Sequence, residues 1–238
     1  MASALDGVFL IDAAGRTVRC FAERPHEDAW LDVLVRRVLP RVAMLFGATT
    51  IHGAAAVHDG AALLLLGESG AGKSTLSAYL GSAGWGILSD DISILWDPEA
   101  PLVAPATTGV CVWADSRAGL ALPEALCRPL TGYPGKVRYV PGGEDATDLV
   151  PLKALVFLAR SDVAEPVLQP VPPGEGLIRA AHQRIRFNPA DATGAETIGN
   201  FERLTEIVRV TPCHRLCYPA DYGALPRVAA MLEQVLRA

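Results

Sequence analysis

The sequence predicts an α/β fold in which a P-loop is attached to a mixed central sheet. The apolar run Ala61–Leu66 is typical of a buried strand, and Leu76–Leu80 is typical of the helix that follows it. Between them, Gly67–Thr75 reads GESGAGKST and matches the phosphate-binding pattern G-x-x-x-x-G-K-[ST]. Asp59 and Gly60 predict a hairpin turn before the strand, so the strand is expected to have an antiparallel partner upstream.

The N-terminal residues predict a hairpin followed by a helix. Val8–Ile11 and Thr17–Phe21 are apolar or alternate in polarity around a short turn. From His26 to about Phe46, apolar residues recur at helical spacing, and Pro40 is expected to kink or split this helix. We expect a single domain in which residues 1–48 are an appendage and residues 49–238 form the nucleotide-binding core and C-terminal elements.

The remaining elements are expected to alternate between strands and helices, joined by loops rich in proline. Loops are expected at Asp97–Thr108 and Pro170–Gly176. Helices are expected at Pro123–Cys127, Glu175–His182, Gly199–Val208 and Pro226–Leu236. The expected strands are His52–His58, Ile87–Asp91, Ile92–Trp96, Val110–Trp113, Leu152–Leu158 and His214–Tyr218.

Composition excludes several classes of protein. Half of the 238 residues are hydrophobic, which argues against disorder, and the net charge of −5 argues against a general nucleic-acid binder. The apolar runs are too short to span a membrane, and no basic segment precedes an apolar stretch at the N-terminus. We therefore expect a cytoplasmic protein with no membrane or nucleic-acid partner. The five scattered cysteines suit a reducing compartment and favour structural roles over a zinc site at Cys213, His214 and Cys217.

The GESGAGKST segment predicts how a nucleotide would be bound. Glycines let the backbone wrap around phosphates, and N–H groups at the helix start point at the anion. Lys73 is expected to reach the β- and γ-phosphates, and the Ser74 hydroxyl to bind Mg²⁺. ATP is the expected nucleotide, with GTP left open. The expected nucleotide-binding residues are Gly67, Glu68, Ser69, Gly70, Ala71, Gly72, Lys73, Ser74 and Thr75.

Two carboxylates and a histidine are candidates for the chemistry. Phosphoryl transfer needs a metal ion on the phosphates and a group that orients or deprotonates the acceptor, and Asp90 and Asp91 can divide these tasks. The alternative is a solvated turn. His52 is expected near the phosphate loop, where it can hydrogen-bond a catalytic carboxylate. A purely structural histidine is the alternative.

Two basic segments are candidates for contacts with the transferred phosphate or with an acidic substrate. Lys136 and Arg138 alternate, as do His182, Arg184 and Arg186, so each set shares one face if its segment is extended. Either set can supply cations to a phosphoryl group. Solvated charged faces are the alternative.

Together these residues resemble the catalytic domain of HPr kinase/phosphorylase, a family that shares its fold with phosphoenolpyruvate carboxykinase. The resemblance rests on HGAAAV at His52–Val57, Asp59-Gly60, GESGAGKST, and LSDD at Leu88–Asp91. CHRLCYP and ALPRV near the C-terminus look like the tail of smaller HPr-kinase-like proteins. Some of these phosphorylate a serine in ribosomally made peptides such as lasso peptide precursors.

The resemblance implies a role for each candidate residue. Asp90 matches the acid/base aspartate, Asp91 a carboxylate on the metal side, and His52 the histidine that supports the aspartate. The sequence has no stretch like the E-I-R-G-L-G signature, which favours an acceptor other than HPr. A homo-oligomer is left open, since full-length members of the family form hexamers.

The sequence therefore predicts an ATP- and Mg²⁺-dependent kinase acting on a serine-type hydroxyl of a peptide or small protein. Two alternatives stay open. One is a nucleotide-binding regulatory or accessory module without transferase activity, and the other is a kinase of small metabolites.

Overall fold

The computed structural model describes residues 2–3, 7–12, 14–22, 29–130, 133–142, 147–185 and 195–237. At the N-terminus, three antiparallel strands and a helix pack together through Phe9, Val33 and Val38. This confirms the predicted hairpin. The elements are β1 (Ala2–Ser3), β2 (Gly7–Ile11), β3 (Val18–Phe21), α1 (Ala29–Val33), a π-helical turn (Leu34–Val38) and α2 (Leu39–Leu45).

The predicted N-terminal helix is interrupted close to Pro40, as expected. Residues 26–28, where the helix was expected to begin, lie outside the described part of the chain. Pro40 sits in the first turn of α2, where a missing N–H is tolerated. Because proline cannot donate to the carbonyl four residues earlier, regular α-helical bonding breaks there, and the π-helical turn precedes it. This turn carries Arg36, which enters the candidate site described below.

The rest of the chain alternates strands and helices. The strands are β4 (Thr49–His52), β5 (Ala54–His58), β6 (Ala61–Leu66), β7 (Gly86–Ser89), β8 (Ile92–Trp96), β9 (Leu102–Ala104), β10 (Val110–Trp113), β11 (Cys127–Pro129), β12 (Lys136–Tyr139), β13 (Val150–Arg160), β14 (Val167–Val171) and β15 (Cys213–Tyr218). The helices are α3 (Lys73–Ser82), α4 (Ala114–Gly119), α5 (Pro173–His182), α6 (Ala195–Val210) and α7 (Leu225–Arg237), with short 3₁₀ turns at Glu124–Leu126 and Tyr222–Ala224.

Within the described residues, nine strands form one large mixed sheet. Its main path runs β4-β8-β9-β13-β6-β5-β7, with β15 beside β13 and β14 beyond it. β13 is parallel to β6 and β15, and the other pairs are antiparallel. The predicted mixed α/β architecture is therefore confirmed.

Helices cover both faces of the sheet around β6. Leu64 and Leu66 pack in a cluster with residues of α5 and α6, whereas Leu63 and Leu65 pack with residues of α3 and α7. Alternate residues of a strand point to opposite faces. Because both faces are buried, β6 is apolar at nearly every position, as parallel strands between helical layers usually are.

The hairpin before the phosphate loop forms as expected, but its first strand, β5, is shorter than predicted. Asp59 and Gly60 adopt φ values of 52° and 72°, as a tight hairpin turn requires, and β5 pairs antiparallel with β6. The predicted single strand from His52 is wrong, because β4 ends at His52 and β5 begins at Ala54. At Gly53 the backbone approaches β6 so closely that a Cβ would lie 2.6 Å from a methyl carbon of Leu66.

The two candidate aspartates lie opposite this break. β4, before Gly53, pairs with β8, which follows Asp91, and β5, after Gly53, pairs with β7, which precedes Asp90. Gly53 therefore lies beside the two aspartates. The Gly53 N–H donates to the Asp91 carbonyl, 3.1 Å away. The predicted strand Ile87–Asp91 therefore ends at Ser89, and both aspartates lie in the connection between β7 and β8.

Other expected boundaries also differ from the structure. The predicted loop Asp97–Thr108 contains β9, and the predicted loop Pro170–Gly176 contains the end of β14 and the start of α5. A second sheet, β10-β12-β11, packs against α3 through Ala78, Val110 and Val112 and brings α4 close to the phosphate loop. No helix in the described part of the chain is long and apolar enough to cross a membrane.

Candidate active site

The loop between β6 and α3 has the strand–loop–helix context that a P-loop needs. Gly72 precedes the first turn of α3 with φ of 94°, a conformation that favours glycine, and a Cβ there would lie 2.3 Å from the Tyr218 hydroxyl. That hydroxyl donates a hydrogen bond of 2.7 Å to the Ala71 carbonyl. The loop is therefore held from the C-terminal part of the chain by Tyr218.

Lys73, the first residue of α3, folds its side chain back over the loop. Its Nζ donates to the Gly67 carbonyl at 2.5 Å and to the Glu68 carbonyl at 3.4 Å. Burial lowers the pKa of Lys73, and the negative charges of Asp91, Glu68 and Asp90 oppose that shift. The ammonium group thus lies over the loop backbone, among three carboxylates.

Asp90 is buried, and its two carboxylate oxygens have different surroundings. Oδ2 accepts the Cys111 N–H at 2.9 Å and a guanidinium N–H of Arg36 at 3.3 Å. Oδ1 is buried without a hydrogen bond to any described residue, and the Ser74 hydroxyl lies near the carboxyl group. Burial raises the pKa of Asp90, while Arg36, the Cys111 N–H and Ser74 favour the charged form.

Asp91 is more exposed and is paired with His52. The Nδ1 atom of His52 lies 3.2 Å from Oδ1 of Asp91, and each side chain is about one-third exposed. This hydrogen bond is the main cause that lowers the pKa of Asp91, and Arg36 lowers it further. His52 was expected to support Asp90, but the structure places it on Asp91 instead.

Arg36 connects the two aspartates to the N-terminal helix. Besides Asp90, it contacts Cys111 Sγ at 2.9 Å, Asp32 at 3.5 Å and Asp91 at 3.9 Å. Burial alone would lower the pKa of Arg36, but Cys111, Asp90 and Asp32 raise it, so Arg36 remains a cation. Sequence reasoning missed this role, because the contact joins residues 54 positions apart through a π-helical turn that no local pattern indicates.

A cavity of about 380 Å³ brings most of the predicted site residues together. Gly67 and Ala71 are not among the lining residues, and their carbonyl groups accept hydrogen bonds from Lys73 and Tyr218. The predicted residues that line the cavity are His52, Glu68, Ser69, Gly70, Gly72, Lys73, Ser74, Thr75, Asp90, Asp91 and Lys136. Sequence reasoning missed five further lining residues, which are Trp113, Asp115, Ser116, Arg160 and Tyr222.

The other predicted cations are not placed in the cavity wall. Arg138 lies on the extended strand β12, which is the condition set for this segment, but its guanidinium pairs with Asp32 at 2.7 Å. Arg184 forms an isolated bridge with Ile51, and His182 is the last residue of α5, as the predicted helix Glu175–His182 implied. The condition that this segment be extended is therefore not met. Arg186 lies outside the described residues.

The residues present fit a magnesium ion bound together with a nucleotide. Mg²⁺ is usually held by one or two protein oxygen ligands, with phosphate and water completing its shell. Oδ1 of Asp90 and the hydroxyl of Ser74 are such a pair, since Oδ1 has no other partner among the described residues. The described residues contain no cluster of three or more His, Cys, Asp or Glu suited to a metal.

Comparison with solved structures shows a distant structural similarity. No protein-family model matches the sequence, and no curated protein matches it. The solved structure of the HPr(Ser) kinase/phosphatase from Coxiella burnetii aligns with 78% of this chain and 94% of its own, at 13% identity and a TM-score of 0.37.

Proposed function

We propose that this protein is an ATP- and Mg²⁺-dependent kinase that phosphorylates a serine-type hydroxyl. One observation carries the proposal: a phosphate loop with Lys73 and Ser74 shares a cavity with a partly exposed carboxylate, Asp91, that is hydrogen-bonded to His52. A P-loop alone indicates only nucleotide binding. A carboxylate oriented by a histidine beside that loop is what a kinase needs in order to position and deprotonate an acceptor.

The reaction follows from this arrangement. The acceptor hydroxyl oxygen forms a bond to the γ-phosphorus, the bond from that phosphorus to the β,γ-bridging oxygen breaks, and ADP leaves with the bonding electrons. The hydroxyl proton passes to Asp91, which His52 holds in place. The loop backbone and Lys73 bind the phosphates. When bound by Ser74 and Asp90, Mg²⁺ neutralises charge on the phosphate oxygens.

These roles reverse the ones that the family resemblance implied for the aspartates. Asp90 is buried near Ser74, has one oxygen without a hydrogen bond to any described residue, and is held by Arg36, which suits a metal ligand. Asp91 is exposed to the cavity and contacts His52, which suits the base. The position of each carboxylate in the fold supports this assignment better than the order of the two residues in the sequence does.

For the acceptor, we propose a serine in a peptide or small protein, including a ribosomally made precursor of the lasso type. The resemblance to small HPr-kinase-like proteins suggests it. The exposed aromatic side chains of Trp113 and Tyr222 at the cavity are consistent with an acceptor larger than a metabolite. Action in the cytoplasm, where ATP is available, belongs to the same proposal.

The test is transfer of label from γ-labelled ATP, with GTP in parallel, into host lysate and any peptide encoded beside the gene. Lys73→Ala should abolish transfer and weaken ATP binding. Asp91→Asn should lower kcat by at least about a hundredfold, as loss of a general base does, with ATP binding retained. Asp90→Asn should weaken Mg²⁺-dependent ATP binding. Asp59→Asn, in an exposed turn that suits asparagine, is the matched control.

Two results would change the proposal. The first is full phosphate transfer by Asp91→Asn together with no transfer by Asp90→Asn, while Asp90→Asn still binds Mg·ATP normally. This would show that Asp90 is the base. Tight ATP binding without any labelled acceptor would favour a regulatory nucleotide-binding module.

A further inference from the structure

A row of cations and aromatic rings lies at the mouth of the cavity, on the side of Asp91. We call this row, made of Arg37, Arg41, Tyr133, Lys136 and Trp113, the basic rim. Lys136 lines the cavity with its ammonium group 4.7 Å from the centre of the Trp113 ring and 5.9 Å from that of Tyr133. The Tyr133 hydroxyl accepts a hydrogen bond of 3.1 Å from Arg37, so Tyr133 links Lys136 to the N-terminal helix.

The two arginines of the rim stand close to the proposed base. Arg37 is one of the groups that lower the pKa of Asp91. Arg41 donates to the Arg37 carbonyl at 2.6 Å, and the pKa of Arg41 is lowered by burial and by Arg37, while Asp91 opposes the shift. Neither arginine belongs to the cavity wall itself. They therefore lie outside it, where the chain flanking an acceptor hydroxyl would pass.

The charges of the basic rim are not neutralised by ion pairs within the described part of the chain. There, Asp32 pairs with Arg36 and Arg138, and Asp91 is close to Arg36 and His52. Arg37, Arg41 and Lys136 form no such pair among the described residues. Like charges held together repel each other, and an anion placed among them is attracted.

We propose that the basic rim selects acceptors that carry carboxylate groups next to the phosphorylated hydroxyl, that is, acidic peptides. This inference rests on the proposed function and deepens it by naming the substrate class. An extended peptide advances about 3.3 Å per residue, so carboxylates within about three residues of the serine would reach the rim while the hydroxyl lies at Asp91. Tyr133 and Trp113 add flat surfaces beside the cations for the peptide backbone and apolar side chains.

The experiment measures peptide binding and phosphate transfer separately. Probes are fluorescein-labelled peptides with one serine in a neutral Gly/Ala background, their termini blocked, and Asp or Asn at three positions on either side. A further neutral peptide ends in a free carboxyl group beside the serine, which separates a terminal carboxylate from side-chain carboxylates. Binding is followed by fluorescence anisotropy with Mg²⁺ and a non-hydrolysable ATP analogue, and kcat/KM is measured with ATP.

We expect the best Asp peptide, or the peptide with the free carboxyl terminus, to bind about tenfold more tightly than its neutral counterpart. Arg37→Gln, Arg41→Gln and Lys136→Gln should each reduce this preference about two- to fivefold, the range for exposed charge pairs. For the two arginine variants, whose side chains are outside the cavity wall, the KM for ATP should stay unchanged. The matched control is Lys153→Gln on β13, about 23 Å along the strand from Arg160 at the cavity, and it should keep the full preference.

Equal binding of charged and neutral peptides, or a preference that survives all three substitutions, would overturn the proposed selection. Selective binding of carboxylate peptides with no phosphate transfer to any of them would support the rim and refute the kinase. Phosphorylation of charged and neutral peptides with equal kcat/KM would support the kinase and refute selection by the basic rim.

Discussion

Replacing Arg36 by methionine tests the buried charge network that links the N-terminal helix to the candidate site. The substitution keeps an unbranched side chain and removes the guanidinium group. Asp90, whose side chain is 2% exposed, then loses its cationic partner at 3.3 Å, and Asp32 loses a contact at 3.5 Å. Removing one member of a buried ion pair costs about 3–5 kcal/mol, because the other charge stays buried without compensation.

The structure places the expected loss at the lower end of this range. Asp90 keeps the hydrogen bond from the Cys111 N–H, and Asp32 keeps Arg138 at 2.7 Å. We expect Arg36→Met to lower the free energy of unfolding by about 3 kcal/mol, a large part of the roughly 5–15 kcal/mol that stabilises a domain. Asp90→Asn in the same protein removes the orphaned charge, so the double variant should recover about 1–2 kcal/mol of the summed losses.

The assay is urea unfolding followed by circular dichroism, with the midpoint and the slope of the transition fitted for each variant. Arg37→Met, the neighbouring and more exposed arginine, is the control and should change stability by less than about 0.5 kcal/mol. A loss below about 1 kcal/mol for Arg36→Met, or additivity of the two substitutions within about 0.5 kcal/mol, would show that Arg36 and Asp90 do not form a coupled pair.

Two further predictions concern the phosphate loop and the sheet. Gly72→Ala should abolish nucleotide binding, because the added Cβ would lie 2.3 Å from the Tyr218 hydroxyl. Gly84→Ala should leave binding intact, because Gly84 has a similar φ of 95° but open space around it. Calorimetric titration with ATP checks both variants. Burial raises the pKa of Cys213 to about 11 from 9.0, so its thiol ionises in the unfolded chain first. The stability that the buried, neutral Cys213 thiol contributes is fully present below pH 9 and is lost as the pH rises towards 11. The stability difference between wild type and Cys213→Ala should therefore shrink by roughly 2–3 kcal/mol over that window in urea titrations, and a constant difference would refute the burial argument.

The parts of the fold that the sequence predicted well are those set by local rules. Asp59 and Gly60 favour one kind of turn, and this turn places β5 beside β6 whatever the rest of the chain does. The continuous apolar run of β6 likewise follows from its burial on both faces. Where a local pattern decides the conformation, sequence reasoning found the element.

The rest depends on contacts between distant segments. Gly53 breaks a strand because β6 crosses close to it, and this approach has no signature in HGAAAV itself. Lys136 and Arg138 lie on one strand, which meets the condition under which they share a face, yet only Lys136 lines the cavity, because Asp32 of the N-terminal helix pairs with Arg138. The partner of a long side chain depends on which segment packs against it, and spacing along the chain does not provide that information.

The same reasoning changes how the N-terminal segment should be understood. We expected residues 1–48 to be a hairpin and helix appendage within the single domain. The helix in this segment supplies Arg36 to Asp90 and Asp91 and carries the two arginines of the basic rim. The hairpin that leads into the phosphate loop can form from the local turn signal at Asp59 and Gly60. The charge balance at the two aspartates cannot, because Asp90 would be buried without a cation if the helix were absent. The N-terminal helix therefore belongs to the candidate active site in the same sense as the phosphate loop does.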